Sequence, residues 1–169
     1  MSPVNPVSPE NPASLPQSPA VPEPERPSGG AVSVGIVLVS HSRALAEAAM
    51  DLARRLIVAV DVPVELAAGL ADGGLGTDPG SVVEAVERLA ERCEGVLVLA
   101  DLGSGVMSAE MALEMLDPAL AERTRLSAAP FVEGLLGAYG TAGIGKDLQA
   151  VAAEADGAAE AKRSQVAAF

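Results

Sequence analysis

Val32-Ser33-Val34-Gly35-Ile36-Val37-Leu38-Val39-Ser40-His41-Ser42 is the stretch on which the reading of this chain turns. Residues 32–39 form an almost unbroken apolar run rich in β-branched side chains. That is how a strand buried on both faces of a parallel sheet reads, because helices cover it above and below. The run leads straight into His41, the single histidine among 169 residues. Ser42 is placed as N-cap of the helical pattern that begins at residue 43, in which Leu45, Ala48, Ala49, Leu52 and Leu56 recur at helical spacing up to residue 57. A reactive side chain therefore sits between a strand end and a helix start.

Outward from that junction the pattern repeats. Residues 62–68 read as a second strand, with Pro63 at its start or on a sheet edge. A glycine-rich loop follows, and Asp78-Pro79 opens a helix as N-cap and first helical residue. Val82, Val86, Leu89 and Cys93 mark its buried face, and Gly95 its end. Residues 96–100 are a third strand, followed by the turn Asp101-Leu102-Gly103-Ser104-Gly105. A helix over 106–116 carries Met107, Met111 and Met115, expected as core filler, and Asp117-Pro118 closes it. Residues 123–128 are a shorter, more polar strand near an edge. Pro130 starts a helix that Gly140, Gly143 and Gly145 interrupt. Ile144, Leu148, Val151 and Ala155 support a last helix. Strands alternating with helices imply an α/β domain with a doubly wound, mainly parallel four-stranded sheet flanked by helices.

Composition sets the limits. Nine of the 13 prolines lie in residues 1–30, a stretch too poor in apolar residues to offset the entropy of ordering it, hence a disordered Pro-rich tail. It lacks the pattern of a signal peptide. The domain is expected over 31–156, with 157–169 an Ala-rich C-terminal tail that frays. With two Phe, one Tyr and no Trp, the core must be aliphatic. The formal net charge of −12 argues against nucleic acid as a partner, since phosphate backbones need a basic face. No apolar run reaches the ~20 residues of a membrane span. The single cysteine, Cys93, leaves no intrachain disulfide and suits a cytoplasmic protein. One His and one Cys are too few ligands for a transition-metal site, and a carboxylate-only Mg2+ site stays open without any motif that indicates it.

In doubly wound folds ligands sit outside the carboxyl ends of the strands. His41, the loop Gly73–Asp78 and the turn Asp101–Ser104 should then share one rim. Each offers glycine N–H groups, hydroxyls and a helix N-terminus, which together suit a small anion. Asp101 could accept from an imidazole N–H and set the tautomer. A lone histidine at a strand end also serves as a cap, and Asp-x-Gly-Ser is ordinary turn chemistry. The loop lacks the Gly-Lys-Ser/Thr of a P-loop, and neither a nucleophile elbow nor a dinucleotide fingerprint occurs. The reading the residues alone support best is an α/β domain with an anion-ready rim centred on His41. Arg43, in the first helical turn, reads as a solvated surface residue, with contact to an anion as the alternative.

Four ordered motifs carry a resemblance: Val39-Ser40-His41-Ser42 with Leu45-Ala46-Glu47; Gly76-Thr77-Asp78; Asp101-Leu102-Gly103-Ser104 with Met107-Ser108-Ala109-Glu110; and Ala129-Pro130-Phe131-Val132-Glu133-Gly134. Over residues 32–155 the chain resembles the DhaM family, phosphoryl-carrier subunits of the phosphotransferase-system-dependent dihydroxyacetone kinase, whose IIA domain is of the mannose type. The resemblance implies a phosphotransferase subunit in which His41 accepts a phosphoryl group from phospho-HPr and passes it to ADP on the DhaL subunit, for phosphorylation of dihydroxyacetone on DhaK. It implies Asp101 as the partner of the imidazole, and Ser42, Thr77, Gly103 and Ser104 as the phosphoryl surround. It suggests Nε2 as the phosphorylated atom, a homodimer, and no cofactor or metal. The alternatives are the IIA component of a mannose-type sugar permease, or a regulatory module controlled by phosphorylation. The Pro-rich tail is no part of the family pattern.

Overall fold

The structure, a computed structural model, describes residues 32–58 and 60–168. The Pro-rich stretch 1–30 lies outside them. The chain runs β1 (Val32–Ser40), α1 (Arg43–Leu56), β2 (Val64–Ala68), α2 (Pro79–Ala90), β3 (Cys93–Ala100), α3 (Gly103–Met115), α4 (Pro118–Ala121), β4 (Thr124–Ser127), α5 (Phe131–Gly143) and α6 (Leu148–Ala167). The strands form one wholly parallel sheet in the order β2-β1-β3-β4. The expected α/β doubly wound class is what the chain adopts. β2 and β4 are the edges, and Pro63 stands just outside edge strand β2, where its carbonyl accepts from the Ile36 N–H at 2.9 Å.

β1 is central because it can be buried on both sides. Val34, Ile36 and Leu38 pack under α1, α5 and α6. Val37 and Val39 face the opposite layer, with Val82, Val86 and Leu89 of α2 and Ala109 and Ala112 of α3. All five of these β1 side chains are fully buried, which at ~25 cal/mol per Å2 of apolar surface makes this strand the anchor of both cores. From β1 the sheet grows one way to β2 and the other way to β3. The carboxyl ends of β1 and β3 thus flank the point where the winding reverses, the place where such sheets leave a crevice.

Several expected details differ. The helix behind His41 buries Ala46, Ala49, Met50 and Ala53, whereas Leu45, Leu52 and Leu56 are 44, 41 and 62% exposed. Helical period is legible in a sequence, but two apolar stripes of the same period compete here, and the small one wins because alanines let α1 lie close on the sheet. The same rule overturns the methionine stripe as core filler. α3 buries Gly105, Ser108, Ala109 and Ala112, and Met107, Met111 and Met115 are 62, 54 and 60% exposed on its outer side. Cys93 and Gly95 belong to β3, paired with Val32 and Val34, and do not end α2. Gly95 is required for close approach: a Cβ there would lie 3.0 Å from the Cβ of Leu148 on α6. Burial pushes the Cys93 thiol up, and neighbouring Arg92 and Arg123 only partly oppose it. Asp117-Pro118 opens the short α4, with Asp117 as N-cap. α5 runs through Gly140, and Ile144, 70% exposed, is outside the core. α6 continues past residue 157 as one helix to Ala167.

Candidate functional site

The parallel register sets the site. Val39 pairs with Ala100 across β1 and β3, and the next N–H along, that of Asp101, donates to the Val39 carbonyl at 3.1 Å. Both strands then end together. Ser40-His41-Ser42 leaves one and Asp101-Leu102 the other, so the imidazole and the carboxylate emerge side by side at the reversal point. Ser42 caps α1, its hydroxyl accepting from the Leu45 N–H at 3.3 Å.

Asp101 is the best-held group of the rim. Its Oδ2 accepts from the His41 backbone N–H and from the Ser40 hydroxyl, each at 2.9 Å. Its Oδ1 accepts from the Leu102 N–H at 2.7 Å and faces His41 Nδ1 at 2.9 Å. The side chain is 5% exposed, the imidazole beside it 24%. Burial pushes the Asp101 carboxyl up, but the His41 N–H and ring, the Ser40 hydroxyl and the Leu102 N–H outweigh it and hold it below the usual carboxylate range. The sign follows from linkage: a carboxylate with a depressed folded value stabilises the fold above its ordinary value of about 3.9 and loses that contribution as pH falls further. Asp101 is therefore charged near neutral pH.

An ionised carboxylate only accepts, so the Nδ1 facing it carries the proton. That leaves the Nε2 lone pair outward. Ser104 Oγ lies 2.6 Å from Nε2 and can donate to it. Ser104 is held from behind: the Thr77 hydroxyl reaches the Ser104 carbonyl at 3.4 Å and the Ser108 hydroxyl at 2.8 Å. The Gly76 N–H donates to the His41 carbonyl at 2.9 Å, closing the loop after β2 against the same junction. The N-cap of α3, Leu102, has no side-chain acceptor. The first-turn N–H groups of α3, beginning with Gly103, thus meet no cap and face the rim with the positive end of the helix dipole.

Of the residues singled out in the sequence, His41, Asp101 and Ser104 touch directly, and Thr77 supports Ser104. Gly103 supplies backbone at the helix start. The Ser42 hydroxyl is turned to capping α1. Arg43 is 57% exposed and lies 3.9 Å from Glu47, a surface pair.

Three members were not anticipated. Ser40, fully buried, fastens Asp101. Ser108 fastens Thr77. Gly105 makes room: a Cβ there would come 2.9 Å from Asp101 Oδ1 and 3.8 Å from His41 Cε1. The signal for Ser40 was present, a polar residue at the last inward position of a buried strand, which must find a partner. Nothing local in the sequence distinguishes Gly105 from any turn glycine. Gly105→Ala is expected to push Asp101 off the imidazole. The Nδ1 resonance of 15N-labelled His41 should shift, with a loss of stability of about 1–3 kcal/mol by overpacking. An unchanged spectrum would show that the contact is not needed.

Comparisons with known proteins give the chain its family. Residues 35–152 match the family model of the PTS system fructose IIA component, EIIA-man. The phosphoryl donor subunit DhaM of the PEP-dependent dihydroxyacetone kinase of Klebsiella michiganensis is 44% identical over 135 residues, 79% of this chain. The Escherichia coli DhaM is likewise 44% identical over 135 residues. The chain spans only 28% of the length of each of these two. DhaM of the PEP-dependent dihydroxyacetone kinase 2 of Listeria innocua is 36% identical over 101 residues, 60% of this chain and 79% of that protein. Among solved structures, that of the unknown function protein EF1359 superposes with a TM-score of 0.67 at 32% identity, covering 73% of this chain and 93% of the other. With the strand order, the match over 35–152 and these relatives together, the chain belongs to the EIIA-man family and groups within it with the DhaM proteins.

Proposed function

We propose that this chain is a phosphohistidine carrier that takes a phosphoryl group from phospho-HPr on His41 Nε2 and passes it to ADP held by a DhaL subunit, which phosphorylates dihydroxyacetone bound to DhaK. The observation that carries the reading is the pair of contacts on one imidazole: Asp101 at Nδ1 and Ser104 at Nε2.

The step balances without an acid or base. The Nε2 lone pair forms the new N–P bond as the bond from phosphorus to the donor breaks. The proton stays on Nδ1, where the Asp101 carboxylate offsets the positive charge that grows on the ring. The Ser104 hydroxyl leaves Nε2 and is free to donate to a phosphoryl oxygen. The arriving group brings about two negative charges, which the uncapped start of α3 can meet. Positioning and electrostatics suffice for such transfers. The ring exposure of about a quarter lets a protein partner reach it. Among the described residues no helix is long and apolar enough to cross a membrane.

The test is reconstitution. With phosphoenolpyruvate, enzyme I, HPr, DhaL-ADP and DhaK, the chain is expected to support formation of dihydroxyacetone phosphate. Phosphorylation of His41 without that product would place the chain in a sugar-permease relay or a regulatory role instead.

A further inference from the structure

The methionines of α3 are left unexplained by the core. Met107, Met111 and Met115 follow Ser104 at i+3, i+7 and i+11, so the four share one side of the helix. At 1.5 Å per residue the stripe extends ~16 Å from Ser104. Its origin is the hydroxyl that touches His41 Nε2. Leu102 at the head of the helix is 63% exposed, and Leu75, in the loop that Thr77 ties to α3, is 77% exposed. Exposed large apolar side chains are thus continuous with the reactive nitrogen. Glu110 and Glu114 are exposed along the edge of the stripe, and α3 contains no Lys or Arg.

We propose that this stripe is the docking surface for the protein that hands its phosphoryl group to His41, and that this donor seats on it an apolar patch edged by basic side chains. The inference rests on the carrier reading above. Continuity with Ser104 makes a partner bound here lie over Nε2, where phosphorus must arrive. The acidic edge selects a basic rim and speeds encounter. It also disfavours a second copy of the chain, because a two-fold contact along α3 would bring Glu110 and Glu114 of both copies together. Methionine suits the task, since flexible thioethers adapt to the shape of a partner's apolar side chains.

The test uses the full chain with Met111→Glu and Met115→Glu, two to three helical turns from the imidazole. Rates of His41 phosphorylation are compared for phospho-HPr and for phosphoramidate, a small donor that needs no docking surface. The expected result is a fall of about tenfold or more in kcat/KM for phospho-HPr, with the phosphoramidate rate within twofold of wild type. Glu110→Lys should likewise slow phospho-HPr and flatten its salt dependence. An unchanged phospho-HPr rate overturns the proposal. So does an equal loss with both donors, which makes the stripe part of the fold of the site. A drop from dimer to monomer in sedimentation, with both rates unchanged, assigns the stripe to self-association and overturns it too. If wild-type protein accepts from phosphoramidate but never from phospho-HPr, the carrier reading fails with it.

Discussion

His41→Ala is expected to take up no phosphoryl group from phospho-HPr, and so to form no dihydroxyacetone phosphate in the reconstituted system. The loss should be complete and not partial. No second histidine exists in the chain to substitute, and the hydroxyl nearest the site, Ser104, is a far weaker nucleophile than imidazole near neutral pH. The fold should survive. The ring is partly exposed, and its removal takes one of four donors from Asp101. That costs about 0.5–1.5 kcal/mol, visible as a small fall in Tm with an unchanged circular dichroism spectrum. Residual transfer by the variant, measured by phosphoryl incorporation, would remove His41 from the role proposed for it.

Asp101→Asn is expected to have the second largest effect, and on two quantities at once. Both Asp101 oxygens are acceptors to four donors. An amide of the same shape supplies one oxygen and an NH2. In either orientation the NH2 faces donors: the His41 N–H and Ser40 hydroxyl, or the imidazole and Leu102 N–H. Turned to the ring, it forces the tautomer that protonates Nε2 and hides the nucleophilic lone pair. Turned away, it leaves the part-buried His41 backbone N–H unpaired. Transfer should fall by about a hundredfold or more, and stability by about 1–3 kcal/mol. The stability that wild type loses in acid, as pH falls below about 4, should be missing from the variant's profile. Full transfer activity with reduced stability would make Asp101 a structural cap only.

Much of this architecture was legible in the chain. The unbroken apolar run of β1, the capped start at Asp78-Pro79 and the polar edge strand β4 each report a local physical necessity: burial on both faces, an N-terminal donor to satisfy, a face in water. Which face of a helix turns inward is not local. Leu45, Leu52 and Leu56 lost to Ala46, Ala49 and Ala53, and Met107, Met111 and Met115 to Gly105, Ala109 and Ala112. In both helices the distance to the sheet, which only the assembled layers set, favoured the face made mostly of small residues, with Met50 the one large side chain buried on α1. Cys93 misled for a related reason. Its spacing from Val86 and Leu89 continues a helical period, and its burial in β3 reproduces the same apolar signal.

At the site, the one-rim placement of His41, Thr77, Asp101 and Ser104 followed from the rule that parallel strands end on the same side. The buried fastenings did not. Ser40 on Asp101 and Ser108 on Thr77 join segments separated by 61 and 31 residues. Gly105 matters because of a carboxylate that reaches it across a turn. Such contacts belong to the register of β1 on β3, not to any motif.

The most direct measurement is the position of the phosphoryl group after charging by phospho-HPr, read by 15N and 31P NMR on protein with labelled histidine. The geometry predicts one phosphoryl group per chain, base-stable and acid-labile, bonded to Nε2 of His41 with Nδ1 still protonated. A phosphoryl group on Nδ1, or an acid-stable ester on Ser104, would contradict it.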